Sequence, residues 1–449
     1  MEWRSLVAVE LVVHTTSPNL LEFPSDPTFK KAIMGKPYPN TNLVLLNKLR
    51  DRFESNGVLP YTVLQPMLLY SMRAAFHATD DRDMLFSLKG ICDPLGDMTV
   101  DYTSPVRAVY TNYAWGLYQK KTLGLRLLAQ VEQRTAEPSE RGIVGFLRNS
   151  LETYLYGPYH SSKLPSWVPD LSRKVHHADL IQKYQNCPKA FNATLGEVPS
   201  VQRHGDILKL KAARLGAIVD LSESADEISN DHSLLRLLHI LAKLPPTYTW
   251  SGEDRTEAFW RTTVVWTPDD DTYPSASSSR QLVKDWLLDQ LAKCRVYIFL
   301  GGAPNTGWID QIKLVEKLAA PDKEIISSPH QIYDYCLSLI AHYSYPSASA
   351  RSPSSKQGLV SDRASRLGGA ALKDMRIFRT EQNYLGKGYS NITVGDSVWL
   401  IRGAEIPYIL RRTRRGRYRL IGQAYVHGIM LVEAVAPGKE VTWEPLEIE

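Results

Sequence analysis

The sequence is short of cysteine, of long apolar runs and of any strong charge imbalance, and each shortage excludes something. Its four cysteines, Cys92, Cys187, Cys294 and Cys336, are scattered and form no CxxC pair. They read as reduced thiols of a cytosolic protein, not as a disulfide framework or a zinc site. No stretch approaches the roughly 20 consecutive apolar residues that cross a bilayer. The opening "MEWRSLVAVELVVHTTSP" holds a short apolar run, but Glu10 breaks it and no small-residue cleavage site follows, so no signal peptide is read there. Fifty-three basic side chains against 48 acidic ones leave a net charge of only +5. A nucleic-acid binder carries a broader basic footprint than that.

The signatures of common chemistries are missing too. There is no GxSxG, no HExxH and no internal repeat. "VYIFLGGAPNTGWIDQIKLVEKL" (296–318) has the strand, glycine turn and helix of a phosphate loop, yet it contains neither GxGxxG nor the GxxxxGK[ST] lysine. His176 and His177 precede Cys187 without a second ligand pair at zinc spacing. Asp80, Asp81 and Asp83 cluster, but three acids in a first helical turn are what the helix dipole favours without catalysis, and Arg82 between them reads as a structural ion-pair partner. No catalytic, cofactor-binding or metal-binding residue is therefore assigned, and no cofactor is expected.

What is present describes an ordinary globular chain. Hydrophobic residues make up 43% and charged residues 22% of 449, enough for two or three cores. Residues 62–118 read as helical. Thr79 is placed as a cap before Met84, Leu85, Leu88 and Ile91. Ser104 is placed as the cap of a second helix, with Pro105 at its first position and Val106, Val109, Tyr110, Tyr113, Ala114 and Leu117 on one face. "LPSWVPDLS" (164–172) cannot be helical throughout, because its prolines force extended neighbours; Trp167 is expected to anchor it. From Gly205 the period changes to two, with Leu208, Leu210 and Ala212 on one face of a strand. Helical patterns return at 231–244, 254–265, 281–293, 308–319 and 329–342. The Ser/Pro-rich stretches 268–280 and 345–369 interrupt or end them as loops. The last stretch reads as strands: "SVWLIRG", "PYILRR", "RYRLIGQAY" and "GIMLVEAV".

Six arginines crowd positions 411–419 in "PYILRRTRRGRYRLIG". The segment is a hairpin turning at Gly416, so the charge is expected at its tip and outer edge, keeping the turn solvated and blocking pairing with other sheets. No aromatic residues interleave it in the manner of single-strand binders. His427 lies beside no carboxylate or cysteine motif and reads as a hydrogen-bonded structural histidine.

Several stretches taken in order resemble the fungal heterokaryon-incompatibility (HET domain) proteins. They are "TDDRDMLFSLKGICD" (79–93), "DYTSPVRAVY" (101–110), "LPSWVPDLS" (164–172), "FWRTTVVW" (259–266) and "GDSVWLIRGAEIPYILRR" through "GRYRLIGQAYVHGIM" (395–430). Each is modest alone; the shared order across residues 79–430 carries the resemblance. The family's usual entry signature, serine–tyrosine–x–tryptophan–glycine, is absent, and "WRSLVAVELVV" (3–13) reads as a remnant of its first domain's exit. The resemblance thus implies the C-terminal portion of such a protein, with the HET domain missing.

The fold class expected is α+β, with helical N-terminal and middle regions and a small C-terminal antiparallel β-barrel or sandwich, joined by a strand from 205–222. The expected regions are 1–175, mainly helical; 176–230, a linker and the joining strand; 231–375, a helical insertion with loops; and 376–449, the β-domain. Trp399, Leu400, Leu420, Tyr425 and Met430 should pack inward, and Gly422 and Gly428 should permit bends or close approach. The resemblance implies a non-catalytic regulatory or interaction protein of nonself recognition and cell death, cytoplasmic, with protein partners and neither membrane nor nucleic acid. Its oligomeric state is left open. The alternative is an enzyme or accessory factor of fungal secondary metabolism on the same scaffold.

Overall fold

The structure, a computed structural model, describes residues 78–86, 99–119, 125–131, 164–172, 191–194, 198–224, 227, 235–265, 375–431, 433 and 441–449. The expected helices at 281–293, 308–319 and 329–342, the glycine turn at 301–302, both Ser/Pro-rich loops and the His176, His177 and Cys187 group lie outside the described residues. The chain divides into two compact units, residues 1–123 with 136–176, and residues 124–135 with 177–449.

In the first unit, α1 (Asp83–Phe86) and α2 (Val106–Tyr118) are organised by Arg82. Its guanidinium is buried, pairs with Asp80 at 2.7 Å, and donates to the carbonyls of Tyr102 and of Ser104, the latter at 2.8 Å. A buried cation needs such acceptors to replace its water. The Tyr102 hydroxyl donates to Asp83 at 2.5 Å, and the Tyr110 hydroxyl donates to the carbonyl of Asp81. The structural reading of Arg82 therefore holds. Two caps differ from expectation. Asp80, not Thr79, accepts the Arg82 amide at 3.0 Å. Pro105 itself occupies the N-cap of α2 at ψ 148°, while the Ser104 hydroxyl donates to Asp101 at 2.6 Å. Trp167 is fully buried, and its carbonyl accepts the Tyr118 hydroxyl at 2.9 Å, as an anchor should.

In the second unit the strands β1 (Gln202–His204), β2 (Ile207–Leu221), β3 (Met375–Thr380), β4 (Leu385–Tyr389), β5 (Ser397–Ile401), β6 (Tyr408–Arg412), β7 (Tyr418–Val426) and β8 (Glu444–Ile448) build a closed barrel. Six of them, β2-β3-β4-β7-β6-β5, pair antiparallel in sequence around the wall, and β5 returns to β2. β1 forms a hairpin with β2, and β8 extends the wall on β2 and meets β7 at Tyr418 opposite Ile448. The expected pairing of 205–222 with the terminal strands is thus present. β2 serves four neighbours because its register slips twice, between Arg214 and Gly216 and between Ile218 and Asp220. Such bulges bend a strand, which closing a small barrel requires. The Gly395-Asp396 pair that leads into β5 docks on this bend: the Gly395 amide donates to the Ile218 carbonyl, and the Ile218 amide donates to the Asp396 carbonyl.

"GIMLVEAV" departs from expectation: residues 427–431 are turns and no strand runs there, while β3, β4 and β8 carry the sheet instead. Alternation also divides the five residues expected to pack inward. Leu400 belongs to the barrel core with Val398, Ile409, Ile421, Ala424 and Val426. Trp399 sits between Val398 and Leu400, and Tyr425 between Ala424 and Val426, so both face outward. They are nevertheless buried, as are Leu420 and Met430. Cover comes from outside the wall: Phe191 packs edge-on to Tyr425 at 6.3 Å, and the 3-10 turn Arg126–Gln130 abuts β7. Both glycines mark close approaches. A Cβ on Gly422 would stand 2.5 Å from the Tyr389 ring, and one on Gly428, at φ +79°, would stand 3.1 Å from Trp250.

Two helices described in the insertion lie against the wall, α3 (Leu235–Lys243) and α4 (Arg255–Val264). α3 buries Leu237, Leu238, Ile240 and Leu241. Its N-terminus is capped from β2's end: buried Glu223 accepts the amides of Arg236 at 2.6 Å and Leu237 at 3.1 Å. That satisfies two donors which the helix itself cannot.

The arginine hairpin is confirmed but its charges are not alike. Arg411 grips buried Asp396 with two bonds of 2.7 and 2.9 Å and donates to the Asn391 carbonyl at 3.0 Å. The Asp396 bond holds the guanidinium's pKa above its ordinary value. Arg414 and Arg415 are exposed at the turn. Since β6 and β7 are interior strands of a closed barrel, guarding a sheet edge accounts for little of this charge. Arg411→Ala should cost about 2–3 kcal/mol, below the range for a fully buried pair because the guanidinium is partly solvated. Arg414→Ala should cost less than about 0.5 kcal/mol, and urea titrations of the two variants check the contrast.

Candidate functional site

The tight loop before α4 places three side chains on the barrel. The Tyr248 amide donates to the Glu253 carbonyl at 2.7 Å and the Gly252 amide donates back to Tyr248 at 2.8 Å, which pins the loop. Asp254 then caps α4 by accepting the Thr256 amide at 2.8 Å. This fixes Tyr248, Trp250 and Glu253 against the end of β7 and the turn that follows it.

There Glu253 meets His427. The imidazole Nε2 hydrogen-bonds Glu253 Oε1, and Nδ1 lies 3.0 Å from the Tyr425 hydroxyl. A carboxylate can only accept, so Nε2 carries the proton, and in the neutral ring Nδ1 accepts from the phenol. Glu253 is further bound by the Ser251 hydroxyl at 2.7 Å and Arg261 at 3.1 Å; Arg261 also pairs with Glu257 at 2.7 Å along the helix. Tyr248 closes the cluster. Its hydroxyl accepts the Leu385 amide at 2.9 Å and donates to the His427 carbonyl at 3.0 Å, so it bridges β4 to the turn after β7. Nearby, buried Lys387 of β4 donates to the Thr263 carbonyl of α4 at 3.0 Å.

Burial alone would raise the Glu253 pKa, but the His427 hydrogen bond and charge, the Ser251 hydroxyl and Arg261 outweigh it and hold the carboxyl below its usual range. Burial pushes the phenols of Tyr425 and Tyr248 well up, so both stay neutral. The Tyr425–His427–Glu253 line has the components of a proton relay. Its His427 side chain, however, is only 6% exposed. An open cleft of about 570 Å³ lies at the barrel mouth, lined by Leu215, Trp250, Tyr384, Leu400, Ile429 and Glu444 among others, and none of the three relay residues lines it. Trp250 stacks on Tyr384 there with ring centroids 4.0 Å apart. Among the described residues no group of three or more His, Cys, Asp and Glu side chains is arranged to hold a metal ion, and no helix is long and apolar enough to cross a membrane.

His427 is hydrogen-bonded as expected, but it does have a carboxylate partner. Glu253 was not legible in the sequence because it stands 174 residues away. One signal did exist: "FWRTTVVW" supplies Arg261 and Thr263, and "AYVHGIM" supplies Tyr425 and His427, so two blocks read as separate resemblances converge on one cluster.

A six-stranded barrel with the helices α3 and α4 clamped to its wall by buried charge defines the class of domain. It has a name among known proteins: residues 358–439 match the Het-6 beta-barrel domain. The chain is also 23% identical over 445 residues to "Heterokaryon incompatibility protein 6, OR allele" of Neurospora crassa, a match covering 92% of this chain and 56% of that protein. This chain therefore spans little more than half the length of that relative. No solved structure matches it. Both matches support the resemblance to the heterokaryon-incompatibility proteins drawn from the motif order. β2 and β8 fall outside the matched residues, yet β2 is the strand that closes the wall.

Because the folded Glu253 pKa lies below its unfolded value, the stability it contributes is present above the ordinary glutamate value of 4.5 and is lost as pH falls through the lowered folded value. Glu253→Gln should therefore cost about 2 kcal/mol at neutral pH, and the two proteins should converge in unfolding midpoint when titrated well below pH ~4.

Proposed function

We propose that this protein is a non-catalytic regulatory or interaction component of heterokaryon incompatibility. It would recognise protein partners in the cytoplasm and restrain or sense for a cell-death effector. The observation that supports this reading is how the His427 ring is used: both nitrogens are bonded inside the fold, to Glu253 and Tyr425, and the side chain is nearly sealed from solvent. A catalytic histidine must reach a substrate's proton directly or through one water. Here the ring instead joins the insertion to the barrel. The likeness to the Neurospora protein supports the biological setting.

The test is expression in a fungal host, scoring the survival of fused cells in heterokaryons, for the wild-type chain and for His427→Gln, Lys387→Met and Asp396→Asn. The expected result is a changed survival whose size across variants follows the folded fraction measured by thermal melting. A His427→Gln protein that is folded to the wild-type level yet wholly inactive would instead identify a catalytic imidazole and overturn the proposal.

A further inference from the structure

The hairpin between β6 and β7 carries more positive charge than the fold uses. Of its six arginines, Arg411 is neutralised by Asp396 and Arg417 is shared between Glu447 and Glu449. Arg412, Arg414, Arg415 and Arg419 are exposed, and no acidic partner accompanies them among the described residues. Elsewhere in the unit four half-exposed cations do have acids: Lys209 has Glu447, Arg214 has Glu381, Arg236 has Glu227 and Lys243 has Asp220. Arg411 also stands directly opposite Arg419 in the ladder, an arrangement that repels unless something neutralises it. Asp396 does so for Arg411 only.

We infer that the tip of this hairpin is a docking surface for a short acidic segment of a protein partner. The inference rests on the proposed function and names the chemistry of its partner. Guanidinium groups suit carboxylates through paired hydrogen bonds. The footprint is confined to one turn, and strand β8 beside it presents Glu447 and Glu449 next to Arg417. A long phosphate backbone leaving the tip along that side would meet these acids; a short acidic peptide need not. Tyr418, the one aromatic residue in the hairpin's outer half, is turned edge-on to buried Trp399 at 5.1 Å, so it offers no stacking platform for a base. No apolar side chain stands between residues 411 and 417 to enter a lipid surface. Recognition would proceed through side chains, because β6 and β7 already have strand neighbours in the barrel.

The experiment measures fluorescence anisotropy of a labelled peptide of about eight glutamates with the full chain, since charge pairing of this kind weakens with salt. The expected result is binding that falls as salt rises and that weakens at least ~10-fold in Arg414→Glu/Arg415→Glu, with an unchanged melting midpoint showing that the fold is intact. Equal peptide affinity in wild type and double variant would overturn the inference. So would tighter binding of oligo-deoxythymidine or of phosphatidylserine vesicles than of the peptide. If the double variant loses the peptide but still alters fused-cell survival like wild type, the partner does not use this surface; the inference falls while the proposed function stands. If wild type binds the peptide in this way yet leaves survival unaltered, the acidic-segment site is supported and the proposed function is what fails.

Discussion

Closure of the barrel by β2 is the constraint on which the described fold depends. A five-stranded sheet of β3, β4, β7, β6 and β5 would leave two unsatisfied edges, each a row of backbone donors and acceptors facing water or another chain. β2 pairs with both, through β3 at one end and β5 in its middle, and its first half takes β1 and β8 as well. A straight strand could not do this. The register slips at Arg214/Gly216 and Ile218/Asp220 turn its ladder from one neighbour to the next. The strand comes from far upstream of the others, so the residues between must return to the wall, and this fixes where the insertion can lie.

The insertion is then held by charges out of water. Glu223 caps α3 from β2, Lys387 of β4 reaches a carbonyl of α4, and Glu253 binds His427 while Arg261 supports it. Apolar contact would allow the helices to slide along a smooth barrel. A buried charge whose partner is withdrawn is costly, so each of these contacts tolerates one position only. The contribution is to specificity of placement more than to net stability, because desolvation offsets most of the attraction. Asp396 acts in the same way within the barrel, binding the turn before β5 to β6 through Arg411.

Much of this was legible in the residues. The two-residue period at Leu208, Leu210 and Ala212 places β2, the face of Val106, Tyr110, Tyr113 and Leu117 places α2, and the prolines around Trp167 forbid a helix there. The weak points are local competitions. Ser104 loses the cap to Pro105 because its hydroxyl is drawn to Asp101, and "GIMLVEAV" reads as a strand by composition while Gly428 at positive φ turns the chain. The strand β4 escapes notice because "LGKGY" carries glycines and a lysine, which a strand scan discounts; buried Lys387 donates a hydrogen bond there to a helix carbonyl.

The sequence by itself determined the family resemblance, the periodic elements and the hairpin of arginines, since these depend on residues close together in the chain. Tertiary structure decided which side of each strand was interior, which arginines were neutralised, and that His427 has a carboxylate at all. Those are properties of the distance between residues such as Glu253 and His427, and that distance exists only once β2 has closed the barrel and drawn the insertion onto its wall.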